Sequence, residues 1–265
     1  MPHTLDYKNI SLQFDVMGAG KAVVLLHGFG EDKSIWNEIS ASLSASHQLI
    51  VPDIPGSGNA AMLGGENIGM GDYADSLFAI LQKEGVEQCT VIGHSMGGYI
   101  ALAFAEKYPQ MLYGLGLFHS SAYADDDAKK ETRKKGIEFI KANGVDAFLK
   151  TSTPGLFMDA SASKANIDDL LQKSKLFKPG ALIQYYEAMI ARPDRTHVLK
   201  NFKGPVLFML GAHDKAVPFE QGLEQSNLPG ESHIHVLRNS AHMGMLEERE
   251  KSLLNITDFL RQIYV

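Results

Sequence analysis

Cys89-Thr90-Val91-Ile92-Gly93-His94-Ser95-Met96-Gly97-Gly98 is the stretch from which the fold can be read. Cys89 to Ile92 is a short apolar run of the kind found in strands buried on both faces of a parallel sheet. Met96 to Tyr108, stopped by Pro109, patterns as a helix. Between them lies Gly-x-Ser-x-Gly. A serine at a strand-to-helix turn must take a strained backbone so that its side chain stands clear of the sheet. Glycines two residues to either side let strand and helix approach without a Cβ clash, and Gly98 extends that allowance. An ordinary helix N-cap serine is the competing reading, and the strand-turn-helix context favours a nucleophile at Ser95.

Working outward, the same strand form recurs. Ala22-Val23-Val24-Leu25-Leu26 ends at His27-Gly28-Phe29-Gly30, and further runs lie at His47 to Val51, Met111 to Phe118, Pro205 to Leu210 and His233 to Leu237. Thr4 to Lys8 and Ser11 to Val16 read as a hairpin around Asn9. Helical patterns fall between the runs, at Ser34 to Leu43, Tyr73 to Lys83 and Leu246 to Ile263. Strands alternating with helices imply βαβ units, hence a mostly parallel, doubly wound α/β sheet with helices on both faces. Gly56 to Gly71 is expected to be a mobile loop.

The alternation breaks between Ser120 and Asp194. Asp125-Asp126-Asp127 opens a helix rich in Lys and Arg that ends near Asn143-Gly144, and further helical stretches follow at 146–150, 167–175 and 179–191. The charge order of the first suits the helix dipole, and its basic run reads as a solvated face. The expectation is one core formed by residues 1–119 and 195–265, with an all-helical insertion at 120–194.

Composition narrows the class. A formal net charge of −6 over 265 residues leaves no electrostatic footprint for a polyanion, so nucleic acid is not an expected partner. No apolar run approaches the roughly 20 residues of a membrane span. The N-terminus carries neither a basic nor an apolar leader segment, and Cys89 is the single cysteine, so a cytoplasmic protein, monomeric or homodimeric, is expected.

Serine needs a base to take its proton, and the base needs an orienting group. Ten histidines compete. His233 and His235 alternate on a strand and read as structural, His94 sits inside the elbow, and His27 opens a glycine turn. His242 lies in a loop after the last strand and before the last helix, at the sheet edge where open α/β folds place their sites. Asp214, in Gly211-Ala212-His213-Asp214, follows the preceding strand on that edge. Asp53 also ends a strand, but it precedes Ile54-Pro55-Gly56-Ser57-Gly58 and reads as a turn-capping residue. The order Ser, Asp, His is a recognised triad order. Backbone amides of Met96 and Phe29 are the candidate oxyanion donors; one such donor is worth roughly 10²–10³ in rate.

Together these residues resemble the α/β-hydrolase superfamily, across nearly the whole chain. Ser95 differs from the aspartate of the haloalkane dehalogenase and epoxide hydrolase branches. His27-Gly28-Phe29-Gly30-Glu31 stands where C–C bond hydrolases typically carry Gly-Ser-Gly-Pro-Gly. The chain is similar to the serine-nucleophile branch of small carboxylesterases, enol-lactonases and cofactor-free perhydrolases. That resemblance implies a cap over the site and cleavage of a small to medium, largely apolar ester or lactone through an acyl-enzyme on Ser95. Phe29, Met96 and Met243 are the expected substrate contacts, with Leu156, Phe157, Met158, Tyr185, Tyr186 and Met189 of the insertion above them. No dinucleotide or P-loop fingerprint occurs, and His233-x-His235 lacks a third ligand, so neither cofactor nor metal is expected. Two alternatives stay open: a ligand receptor or signalling partner on the same fold, suggested by the turn at 27–30 with Trp36, and a lyase using the same serine and histidine.

Overall fold

Lys8 and Asn9 both take positive φ, 45° and 65°, the paired left-handed geometry of a two-residue hairpin turn. They join β1 (Pro2–Tyr7) to β2 (Ile10–Met17). The structure, a computed structural model, describes residues 2–58 and 60–264. Six more strands complete one sheet: β3 (Ala22–Leu26), β4 (Gln48–Pro52), β5 (Cys89–His94), β6 (Leu112–Phe118), β7 (Val206–Gly211) and β8 (Ser232–Leu237). Their order is β1-β2-β4-β3-β5-β6-β7-β8. The first two pairings are antiparallel and all others parallel. Strand order reverses at β3, whose neighbours are β4 on one side and β5 on the other, and open α/β sheets bind ligands at such a switch point.

The two faces of the sheet separate by the strand period of two. Val24 and Leu26 of β3 join one core with α2 (Met70–Lys83) and α3 (Met96–Lys107). Val23 and Leu25 join the other with α1 (Asn37–Leu43) and α10 (Arg249–Ile263). This is the doubly wound arrangement. Between β6 and β7 run α4 (Asp127–Ser152), α5 (Lys164–Ser174), α6 (Pro179–Ala191) and α7 (Thr196–Asn201). Of these, α4 and α6 enclose a small apolar core of their own with Ile140, Val145, Leu149, Phe177, Ala181 and Leu182. The expected break at Asn143-Gly144 is a kink, because Gly144 takes φ 83° and helix resumes directly after it.

Three expectations change. The helix expected from Ser34 begins as a 3-10 turn, Lys33–Trp36. The helix expected over Leu246 to Ile263 is split into α9 (Gly244–Glu247) and α10 at Glu248, which has φ −129° and ψ 55°. The cause lies in the two acids there, whose carboxylates turn back to accept the amides of Ala241 and Asn239 at 2.9 and 2.8 Å. The stretch Gly56 to Gly71 is not a loose loop throughout. Residues 54–58 are buried and tied to α6, where the Tyr185 hydroxyl meets Ser57 Oγ and the carbonyls of Ile54 and Pro55 at 2.9–3.1 Å. Its last residues, Met70 and Gly71, already belong to α2, and Asn59 lies outside the described residues. Between β7 and β8 lies α8 (Phe219–Gln225). No helix of the described residues is long and apolar enough to cross a membrane.

Candidate active site

Ser95 sits between β5 and α3 with φ 50° and ψ −115°, outside the favoured regions for a side-chain-bearing residue. Close approach enforces it. A Cβ on Gly93 would lie 2.2 Å from the Gly97 carbonyl oxygen, and one on Gly97 would lie 2.5 Å from that of His27. The Ser95 amide donates to the Phe118 carbonyl at 2.9 Å, and its own carbonyl accepts from Ser120 Oγ at 2.7 Å. Neighbouring β6 therefore holds the turn from both ends.

Three loops at the same sheet edge meet at Ser95. His242 Nε2 lies 2.9 Å from Ser95 Oγ, and His242 Nδ1 lies 2.8 Å from Asp214 Oδ2. With Nδ1–H donating to the carboxylate, Nε2 is left to accept from the serine hydroxyl. The other Asp214 oxygen accepts the amides of Ala216 and Val217 at 2.8 and 2.9 Å. Burial would raise the pKa of Asp214, but the charge and hydrogen bond of His242, with smaller help from the Val217 amide, hold it down at about 2. The His242 amide donates to the Leu156 carbonyl at 2.9 Å, which ties this loop to the inserted segment.

Asp53 does not cap its own turn. It accepts the Lys33 amide at 2.9 Å and pairs with the Lys33 ammonium at 3.4 Å, fixing the start of the 3-10 turn. His27 Nε2 accepts the Ile54 amide at 2.9 Å while Nδ1 donates to the Gly28 carbonyl at 2.9 Å, so it braces the turn at 27–30. Among the described residues, no acceptor takes the amide hydrogen of Phe29 or of Met96.

Sequence reasoning missed a buried polar layer beneath these loops. His94 and Glu31 are both buried and paired at 3.0 Å. Glu31 also accepts the Gly28 amide at 2.7 Å, and His94 Nε2 donates to the His242 carbonyl at 2.9 Å. Burial disfavours charge on each, yet each holds the other ionised: His94 is raised and Glu31 lowered from their ordinary values. One ion pair thus joins the turn at 28–31, the elbow and the histidine loop. His119, also buried, accepts the Gly244 amide at Nε2 and turns Nδ1 toward Asp214 at 3.5 Å. Burial above all keeps its pKa far below that of an ordinary histidine, so it stands as a neutral ring. Its position directly after β6 was the available signal.

A cavity of about 600 Å³ opens over Ser95 and His242. Phe29 and Met243 line it, as do Leu156, Tyr186 and Met189 of the inserted segment. Met96 does not: its side chain is fully buried in the core on the α2–α3 face, so the expected substrate contact reduces to its backbone. Tyr185 serves the loop at 54–57, Phe157 packs with Ile167 and Leu170, and Met158 is exposed outside the cavity. Trp36 lies in the core against Phe118, away from the cavity lining. Among the described residues no group of three or more His, Cys, Asp or Glu is placed to hold a metal.

The family described as alpha/beta hydrolase fold matches residues 21–115, and an esterase family matches residues 70–172. A 2-hydroxy-6-oxononadienedioate/2-hydroxy-6-oxononatrienedioate hydrolase of Paraburkholderia phymatum is 27% identical over 96% of this chain and 92% of its own. A thermophilic esterase from Thermogutta terrifontis, solved with malate bound, superposes with a TM-score of 0.89 at 28% identity, covering 97% of this chain and 95% of that one. An enol-lactonase from Burkholderia xenovorans gives 0.88 at 19% identity, over 98% of this chain and all (100%) of that one, a likeness of fold. The chain has the α/β-hydrolase fold and is similar to members of that superfamily. Relatives matched over nearly the whole chain are named as a hydrolase and as an esterase.

Proposed function

We propose that this chain is a carboxylic ester hydrolase acting through an acyl-enzyme on Ser95, on esters or lactones of small to medium size. The observation that carries the reading is the unbroken chain Asp214–His242–Ser95, at 2.8 and 2.9 Å, ending on a strained serine beneath the cavity. Ser95 Oγ attacks the carbonyl carbon as His242 Nε2 takes its proton. The amides of Phe29 and Met96 receive the developing oxyanion. Collapse expels the alcohol, protonated by His242, and a water activated by the same nitrogen then releases the acid. Asp214 stays ionised, fixing the imidazole tautomer. In this reading residues 120–194 form a cap over the core of residues 1–119 and 195–265.

Turnover of short and medium acyl esters tests the reading, with Ser95→Ala as control. The expected outcome is sustained hydrolysis that the variant loses, with unchanged circular dichroism. More than a few per cent of residual activity would refute Ser95 as nucleophile. A burst without sustained turnover would favour the receptor reading. A C–C bond hydrolase is the second reading, favoured by the Paraburkholderia phymatum relative; cleavage of a 6-oxo-dienoate with no ester turnover would select it.

A further inference from the structure

The cavity over Ser95 has two unlike walls. One is apolar, with Phe29, Leu149, Leu156, Leu170, Met189 and Met243. The other holds Tyr99, Asp125, Lys129, Arg133 and Arg192. Asp125 is the single buried carboxylate of that wall, and two guanidinium groups converge on it. Arg192 grips both its oxygens at 2.9 Å, the two-pronged geometry that best satisfies a carboxylate. Arg133 adds only Nε at 2.6 Å and a long contact of 3.4 Å from Nη2. One carboxylate shared by two guanidinium groups leaves one positive charge over, and Arg133 keeps donors that Asp125 does not take. Lys129 donates its ammonium to a neutral carbonyl, that of Ala216, at 2.8 Å, and no carboxylate among the described residues pairs with it. Asp126 also reaches the lining, but it is exposed and caps α4 by accepting the Lys129 amide.

Tyr99 stands one turn along α3 from Ser95, and both line the cavity. The Arg192 guanidinium carbon lies over its ring, 3.9 Å from the ring centre. Its hydroxyl meets no hydrogen-bond partner among the described residues. Burial opposes ionisation of this phenol, yet Arg192, Arg133 and Lys129 hold its pKa below that of an ordinary tyrosine. The potential at the hydroxyl is thus positive, and Tyr99 and Arg192 are themselves buried, where an uncompensated positive charge is costly.

We propose that this wall is a subsite for a carboxylate carried by the substrate, bound by the Tyr99 hydroxyl, the free donors of Arg133 and the Lys129 ammonium. It rests on the esterase reading and narrows it: the substrate is an ester or lactone with an apolar arm and a free acid group. The carboxylate supplies the negative charge that the wall lacks.

Matched pairs in which a carboxylate replaces a terminal methyl test this. On the acyl side these are methyl butanoate with monomethyl succinate, and methyl pentanoate with monomethyl glutarate. On the alcohol side the pair is ethyl acetate with acetoxyacetate. The acid partner should have the higher kcat/KM, by about tenfold or more, in at least one pair, as expected of hydrogen bonds to a charged group. Arg133→Gln should lower that acid-over-neutral ratio about ten- to a hundredfold, and Tyr99→Phe severalfold. Glutarate titrated calorimetrically into Ser95→Ala protein should bind saturably, and Arg133→Gln in that background should abolish the binding. Neutral partners preferred in every pair, with no glutarate binding up to tens of millimolar, would overturn the subsite and leave the esterase reading standing. Absence of all ester turnover would defeat the esterase reading instead, and the glutarate titration would still decide the subsite. Should Arg133→Gln fail to fold, the wild-type ratio, the glutarate titration and Tyr99→Phe decide it alone.

Discussion

Asp214, itself buried, keeps its charge because both its oxygens are engaged, by His242 on one and by two backbone amides on the other. Asp214→Asn should therefore lose about 10⁴ in kcat, since the amide would select the wrong imidazole tautomer; wild-type rates from the variant would point to another acid. The pair of Glu31 and His94 makes a second, pH-dependent prediction. Glu31 is lowered from 4.5, so its contribution to stability is present above pH 4.5 and lost as pH falls through its folded value. His94 is raised from 6.5, so its contribution is present below pH 6.5 and lost as pH rises through its folded value. Both are in force between those two values. There, Glu31→Gln should cost about 3 kcal/mol, or roughly 6–12 °C in Tm. Thermal melts from pH 4.5 to 9 should show the gap between wild type and variant closing toward the alkaline end. A gap that is constant, or widens with pH, would mean that the pair is not ionised.

At the scale of elements, the turn from β5 into α3 depends on contacts that leave no room for a methyl group. Gly93→Ala would press a Cβ against the Gly97 carbonyl at 2.2 Å. Rigid backbone on both sides makes relief difficult, so the variant should lose about 3 kcal/mol or more, read as a Tm lower by roughly 6–12 °C or as insoluble protein. An unchanged melt would show that the turn can relax. This element was legible from sequence because buried strands, Gly-x-Ser-x-Gly and a helix stopped by Pro109 each signal locally. The doubly wound sheet was legible for the same reason, and so were the strand ends bearing Asp214 and His242. Glu31, His94 and His119 were not, because burial and partnership between loops 63 or more residues apart are set by packing. The split between α9 and α10 was hidden as well: leucine and isoleucine spacing runs on through Glu248, while the break comes from side chains reaching back to the 239–241 loop.

Over the whole molecule, the sheet edge brings Ser95, His242 and Asp214 together, and the segment between β6 and β7 supplies much of the cavity lining above them. Sequence alone suggested an apolar pocket under Leu156, Phe157, Met158, Tyr185, Tyr186 and Met189, and of these Leu156, Tyr186 and Met189 line the cavity. The cationic wall could not be read there, because a Lys- and Arg-rich helix is ordinarily a solvated face and only the fold turns Lys129 and Arg133 inward. On the apolar wall, each methylene that leaves water contributes about 0.8 kcal/mol, or roughly fourfold in kcat/KM. A cavity of about 600 Å³ has space for a limited number of them. For p-nitrophenyl esters from acetate to decanoate, kcat/KM should rise by a few-fold per added methylene, pass a maximum at short to medium length, and then fall as the chain outgrows the site. Widening the apolar wall by Leu149→Ala should move the maximum to a longer chain, because Leu149 both lines the cavity and packs within the small core of α4 and α6. The melt of that variant, expected to fall with the loss of a buried leucine of about 2–5 kcal/mol, separates a shifted optimum from simple unfolding. A steady decline from acetate in the wild type would mean that the acyl chain does not lie on this wall.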